Sequence, residues 1–219
     1  MSHHKQFYID GAWVDPAQPN DFDVIDPSTE EVCATISLGG QADTDAAVAA
    51  AKAAFPGWQF TSKEEKQRLL NKLLEIYKAR SEEMAQAMSL EMGAPIDMSR
   101  VNQTGAGSWH LEGFLEAYEA MEMESDYTDT ERTILEPIGV VACITPWNWP
   151  MNQIVLKVVP ALATGCTVVL KPSEIAPLSA LLFAEFMDEA GFPKGVFNHV
   201  NCQPGKAAFA AATAASVSA

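Results

Sequence analysis

The sequence predicts an α/β fold centred on a parallel sheet, and three observations carry that prediction. Between residues 139 and 200, short apolar runs alternate with helical patterns in the order strand, helix, strand, helix, strand. A hairpin signal opens the chain, and residues 43–92 hold long stretches with helical periodicity. Of the 219 residues, 48% are hydrophobic and 20% charged, a composition that supports one core or two small ones.

The hairpin rests on Phe7-Tyr8-Ile9 and Trp13-Val14, joined through Asp10-Gly11. Asp26-Pro27-Ser28-Thr29 is a second turn, followed by a strand over Val32–Ile36. Asp43 is placed to cap an alanine-rich helix. Ser62 and Glu65 have the spacing of a capping box. After them Leu69, Leu70, Leu73, Leu74 and Tyr77 make one apolar stripe, a packing face on a helix expected to run to Met92, where Gly93 and Pro95 stop it. A further helical stretch is expected over 96–123. Glu112–Glu131 holds eight acids and no base, which reads as a solvated helix face plus loop, with an acidic docking site as the sharper alternative.

The period changes near residue 130. Thr133-Ile134-Leu135 is a short strand, and Gly139–Ile144 is a continuous apolar run of the kind covered on both faces. Helices are expected over 152–164 and 178–190, and strands over 167–170 and 196–200. Together they form a βαβαβ unit. Domain boundaries follow: 1–135 for the hairpin, helices and the short strand, 136–201 for the βαβαβ half, and 202–219 for an atypical tail. That tail has eight alanines from Lys206 on and no acid.

With 14 basic against 29 acidic side chains, the net charge is −15, which argues against nucleic acid and anionic lipid as partners. The start of the chain has no signal-peptide pattern, no apolar run is long enough to span a bilayer, and the cysteines at 33, 143, 166 and 202 form no CxxC pair. A reducing, cytoplasmic setting without a structural metal is the expectation.

In an open parallel sheet, ligands bind beyond the carboxyl ends of the strands. After Ile144 comes Thr145-Pro146-Trp147-Asn148-Trp149-Pro150, a loop stiffened by two prolines and walled by two indoles. A rigidly held Asn148 amide suits a developing oxyanion; equally, Asn148 can cap the next helix. After Leu170 comes Lys171-Pro172-Ser173-Glu174, where a carboxylate is placed to accept hydrogen bonds from a ribose and to repel a 2′-phosphate. The alternative is an exposed turn with an incidental ion pair. Gly105-Ala106-Gly107 follows no strand and is not a phosphate-binding fingerprint.

The segments Ile144–Pro150, Pro160–Glu174, Glu136–Val141, Ile9–Trp13 and Ala190–Asn198 together resemble the aldehyde dehydrogenase superfamily over about residues 6–201. The turn at Asp26 is also similar, although many relatives begin it with asparagine. The resemblance implies a truncated aldehyde-dehydrogenase fold with a partial Rossmann-like sheet, and oxidation of an aldehyde to a carboxylic acid with NAD, or NADP, through a cysteine nucleophile. It implies that Asn148 is the oxyanion-hole asparagine and Lys157 a charge-relay lysine. Ile144, Thr145, Pro146 and Trp147 would lie beside the cofactor, and Lys171, Ser173 and Glu174 at its adenosine ribose. It further implies homo-oligomers for the full-length family, with the Ile134 region resembling part of the oligomerisation element.

The family's nucleophilic cysteine and general-base glutamate lie downstream of the matched segments, and none of the four cysteines stands in the nucleophile motif. After Asn201 the pattern is expected to fail, which points to a truncated or frameshifted product. Open sheet edges would then leave it marginally stable or prone to aggregate. The alternative to a catalytic portion is a non-catalytic dinucleotide-binding or subunit-interaction fragment.

Overall fold

The computed structural model of the chain describes residues 3–202. Its main sheet contains five strands: β1 (Phe7–Ile9), β2 (Ala12–Val14), β7 (Val140–Ile144), β8 (Thr167–Lys171) and β9 (Phe197–His199), in the order β2-β1-β9-β8-β7. β7, β8 and β9 are parallel, as the alternation predicts. Their crossovers are α6 (Pro150–Ala163) and α7 (Leu178–Ala190). Strand order advances in one direction, so two right-handed crossovers lie on one face. There Ile154, Val155, Val158, Phe183 and Phe186 pack on Val168, Leu170 and Phe197. The other face is covered by α1 (Gln41–Trp58), whose Ala47, Val48 and Ala51 meet Val140, Val169 and Val200.

The N-terminal hairpin does not stand apart. Tyr8 pairs with His199, so β1 extends the sheet antiparallel to β9. The turn that makes this possible has Asp10 at φ 53 and Gly11 at φ 71, the positive pair that a tight Asp-Gly connection demands. Asn198 ties the joint: its Oδ1 accepts from Asp10 N at 3.0 Å and its Nδ2 donates to Gly195 O at 2.8 Å.

Behind α6 and α7 lie α2 (Lys63–Ala79), α3 (Ser81–Met92), a short α4 (Ile96–Met98) and α5 (Thr104–Ala120). Ser62 caps α2 by accepting from Glu65 N at 3.2 Å, as the spacing predicts. Gly93 ends α3 in the left-handed conformation, φ 72. Two small antiparallel pairs complete the chain: β3 (Asp21–Asp26) with β4 (Glu31–Ser37), and β5 (Glu124–Asp126) with β6 (Arg132–Ile134).

Several expectations are corrected. Gly40 is the cap of α1, while Asp43 sits one turn in and reaches back to accept from Gly40 N at 2.8 Å. The helix expected to run to Met92 breaks at Arg80, whose guanidinium is drawn sideways onto Glu185 and Glu83. The stretch over 96–123 is interrupted by a π-helical turn at Ser99–Gln103 and stops at Ala120. Part of the acidic run is strand β5, its charge offset by Arg132 on Glu124 and Asp126. β7 is less covered than its apolar run suggests: it stands at the sheet edge, with Val141 and Ala142 half-buried and Ile144 exposed. From Gln203 on, the tail lies outside the described residues.

Candidate functional site

Strand register decides the geometry of the site. Ile144 at the end of β7 is the direct neighbour of Lys171 at the end of β8, and Thr145 N donates to Lys171 O at 3.1 Å. The loop 145–150 and the corner 171–174 therefore leave the same rim side by side. Every sequence-predicted site residue lies on these two segments except Ile144, which ends β7 just before the first, and Lys157 on α6.

The first segment is shaped by its turn. Trp149 takes the left-handed conformation at φ 55, ψ 57 and occupies the cap position of α6, with Pro150 in the first turn of that helix. A bulky residue in that conformation is uncommon and signals a tightly specified turn. Asn148 does not cap α6: its amide is exposed and makes no hydrogen bond among the described residues. The capping alternative falls, and the amide is left free to donate. Thr145 is buried, whereas Pro146 and Trp147 are exposed. Lys157, two turns along α6, donates to Gln153 O at 3.2 Å and Gln153 Oε1 at 2.8 Å. These bonds direct its ammonium back toward the helix end that carries Asn148.

The second segment is not the exposed turn of the alternative reading. The Lys171 Nζ–Glu174 Oε2 pair spans 3.1 Å with side chains only 9% and 13% exposed. Ser173 Oγ accepts from Ile175 N at 3.3 Å and Ser173 O from Ala176 N at 3.2 Å, which folds the corner tightly. Burying a charged pair carries a desolvation cost, so the pair is not incidental decoration. Among the described residues only one carboxylate oxygen of Glu174 is engaged, and the ammonium has donors to spare. Vicinal hydroxyls, each both donor and acceptor, match that set. Ile144, Trp147 and Ile175, all about half-exposed, flank it with apolar surface suited to a flat base.

The third strand end adds a residue not nominated from sequence. Asn201, just past β9, is fully buried, and neither amide atom has a partner among the described residues. Its position after Val200 marked the place, but nothing in the residue type signalled an unsatisfied amide there. His199 is also buried without a partner, inside the sheet, and burial lowers its pKa to about 3, so it stays neutral.

The thiols differ from an activated nucleophile. Burial pushes the Cys143 pKa up to about 12 despite nearby Lys157, and raises those of Cys202 and half-buried Cys33. Cys166 is buried as well. Among the described residues no cluster of His, Cys, Asp or Glu is arranged to hold a metal ion, and no helix is long and apolar enough to cross a membrane.

The sequence profile described as "Aldehyde dehydrogenase family" matches residues 13–218. The match continues through the alanine-rich tail, so the departure expected after Asn201 does not end the family similarity. The chain is 47% identical over 205 residues to 3-succinoylsemialdehyde-pyridine dehydrogenase of Pseudomonas sp, covering 92% of this chain and 42% of that protein. It superposes on the crystal structure of an aldehyde dehydrogenase from Bartonella henselae with a TM-score of 0.90 and 53% identity, covering 93% of this chain and 43% of the other. A mutant of aldehyde dehydrogenase C from Pseudomonas syringae, crystallised with NAD+ and octanal, gives a TM-score of 0.93 at 47% identity, covering 97% and 43%. The chain thus spans well under half the length of these relatives.

Proposed function

Because the chain belongs to the aldehyde dehydrogenase family, we propose that its rim binds NAD and that it serves as the N-terminal, cofactor-binding portion of an NAD-dependent aldehyde oxidation. The observation that carries this reading is the buried Lys171–Glu174 pair beside the indole-walled loop 145–150. Glu174 accepts from the adenosine ribose with its unengaged oxygen, Lys171 donates there, and Ser173 fixes the corner between them. Ile144, Thr145, Pro146 and Trp147 form the neighbouring wall. The Glu174 carboxylate repels a 2′-phosphate, favouring NAD over NADP, and Lys171 tempers that preference.

When bound, NAD supplies a hydride acceptor. Toward the aldehyde, Asn148 donates its amide hydrogen bond to the oxygen on which negative charge develops. Such a donor contributes on the order of 3–4 kcal/mol to the transition state when it is held rigidly, and the flanking prolines and the left-handed Trp149 fix the backbone that carries this one. Lys157, tethered to Gln153, sits as a charged group along the same helix. The substrate is an aldehyde, and assembly into homo-oligomers, a cytoplasmic setting and the absence of nucleic-acid and membrane partners complete the proposal.

A second reading is favoured by the thiols. With Cys143 and Cys202 held protonated by burial and Cys166 enclosed, these residues supply no thiolate at the rim. On that reading the chain by itself is a non-catalytic dinucleotide-binding or subunit-interaction module. Calorimetric titration with NAD tests the binding claim common to both. Glu174→Ala is expected to weaken binding about tenfold, the loss of one or two charge-assisted hydrogen bonds, and Glu174→Gln less. Unchanged affinity in both variants contradicts the assignment. NADH absorbance with a panel of aldehydes then separates the two readings: turnover supports the first, binding without turnover the second.

A further inference from the structure

A cavity lies at the opposite end of β7 from the rim. Pro137 and Ile138, just before β7, line it, whereas the rim begins after Ile144 at the other end of that strand, roughly 13 Å away at 3.3 Å per residue. It holds about 500 Å³ between α1, α2, α5 and the β5–β6 hairpin. Phe55, Phe60, Ile134, Leu135 and Ile138 give it apolar walls.

Its lining includes Lys66, a charged residue that stands in register with the apolar stripe of α2, on the same face as Leu69, Leu70, Leu73 and Tyr77. Lys66 is 6% exposed. Its ammonium has one hydrogen bond, to Gln59 O at 3.5 Å, and lies 5.7 Å from the Trp58 ring. An ammonium carries three donors, and a buried charge with so little compensation is costly. Among the described residues no carboxylate pairs with it. Lys63, also lining, is engaged with Glu119 O and Met121 O, both at 2.8 Å. Glu124 is paired outward with Arg132 at 3.2 Å, and Glu136 is exposed. Gly165, at φ 95, packs close by: a Cβ there would stand 3.3 Å from the Lys66 ammonium.

From this juxtaposition we propose that the cavity is a binding site for a small carboxylate with an apolar tail, its head on Lys66 and its tail along the walls. One ammonium matches one negative charge. The two glutamates in the lining and the chain's net charge of −15 reject a multiply charged phosphate. Burial also lowers the Lys66 pKa, and an anion beside it reverses that shift. The site is separate from the coenzyme rim and does not depend on the function proposed for it.

The experiment is calorimetry of the full chain with octanoate, and with octan-1-ol as the uncharged analogue. Saturable octanoate binding is expected, weakened at least tenfold in Lys66→Met and at least tenfold for octanol. Lys66→Met is isosteric enough to keep the fold, which circular dichroism checks. Phe60→Glu, at an exposed wall position, places a like charge at the opening without touching the core and is expected to weaken octanoate binding as well. No octanoate binding, equal binding of octanol, or binding unchanged in both variants overturns the proposal.

Discussion

Glu91→Ala is expected to destabilise the protein by about 3 kcal/mol, read as a lower urea midpoint at unchanged slope. Glu91 belongs to α3, yet its carboxylate serves α7: Oε2 accepts from Leu178 N and Oε1 from Ser179 N at 3.1 Å. The helix offers no capping side chain of its own, because Pro177 stands at the cap position. Removing the carboxylate leaves two buried N–H groups without acceptors, at about 1–3 kcal/mol each, and breaks the link between two helices packed on each other. The pH dependence carries a sign. Burial raises the Glu91 pKa from 4.5 to about 7, against the pull of the two N–H donors. The folded state therefore holds a proton that the unfolded chain releases, and this group's stabilisation is complete below pH 4.5 and lost as pH rises to about 7. His199 acts in the opposite sense, losing stability as pH falls below its ordinary 6.5 toward about 3. The wild-type curve mixes both. The difference between wild type and Glu91→Gln isolates Glu91, and it is expected to shrink between pH 4.5 and about 7. A difference independent of pH contradicts the assignment.

Gly107→Ala is expected to cost about 2–3 kcal/mol although alanine is the better helix former. Gly107 of α5 faces Tyr77 of α2, and a Cβ there would land on the Tyr77 hydroxyl and 2.7 Å from Cζ. Tyr77 cannot yield. It is fully buried, its hydroxyl donates to Thr104 O at 2.9 Å, and its ring meets Phe186 edge-on at 5.9 Å. Overpacking at about 1–3 kcal/mol and a displaced buried hydroxyl outweigh the helix-propensity gain of about 1 kcal/mol. Gly113 on the same helix is the control, since nothing lies within 4 Å of a Cβ there. Gly113→Ala is expected to stabilise slightly. Thermal unfolding of the two variants should shift in opposite directions, and a shared direction would falsify the packing argument.

The parallel core was legible because each of its signals is local. Asp10-Gly11 encodes its own turn, Gly93 its helix end, and the β-branched run Thr167–Val169 with Leu170 its burial. The rim followed from the same logic, since consecutive parallel strands must end on one side. What stayed hidden depends on partners distant in sequence. No pattern in Phe7–Ile9 announces that β1 docks on β9, nearly the whole described chain away. The break at Arg80 is set by Glu185 on another helix. The edge position of β7 is likewise a tertiary fact, decided by what covers a residue and not by its own period. In the site, residue types marked Asn148 and Glu174, while the loss of the capping role for Asn148 and the burial of the Lys171–Glu174 pair required the fold.

Hydrogen exchange of the chain with and without saturating NAD tests the central claim most directly. If one coenzyme is gripped by both corners, backbone exchange slows together in 144–150 and in 171–175, at one NAD concentration dependence, while β3 and β4 are unaffected. Protection confined to one corner, or absent from both, contradicts a shared site at the ends of β7 and β8.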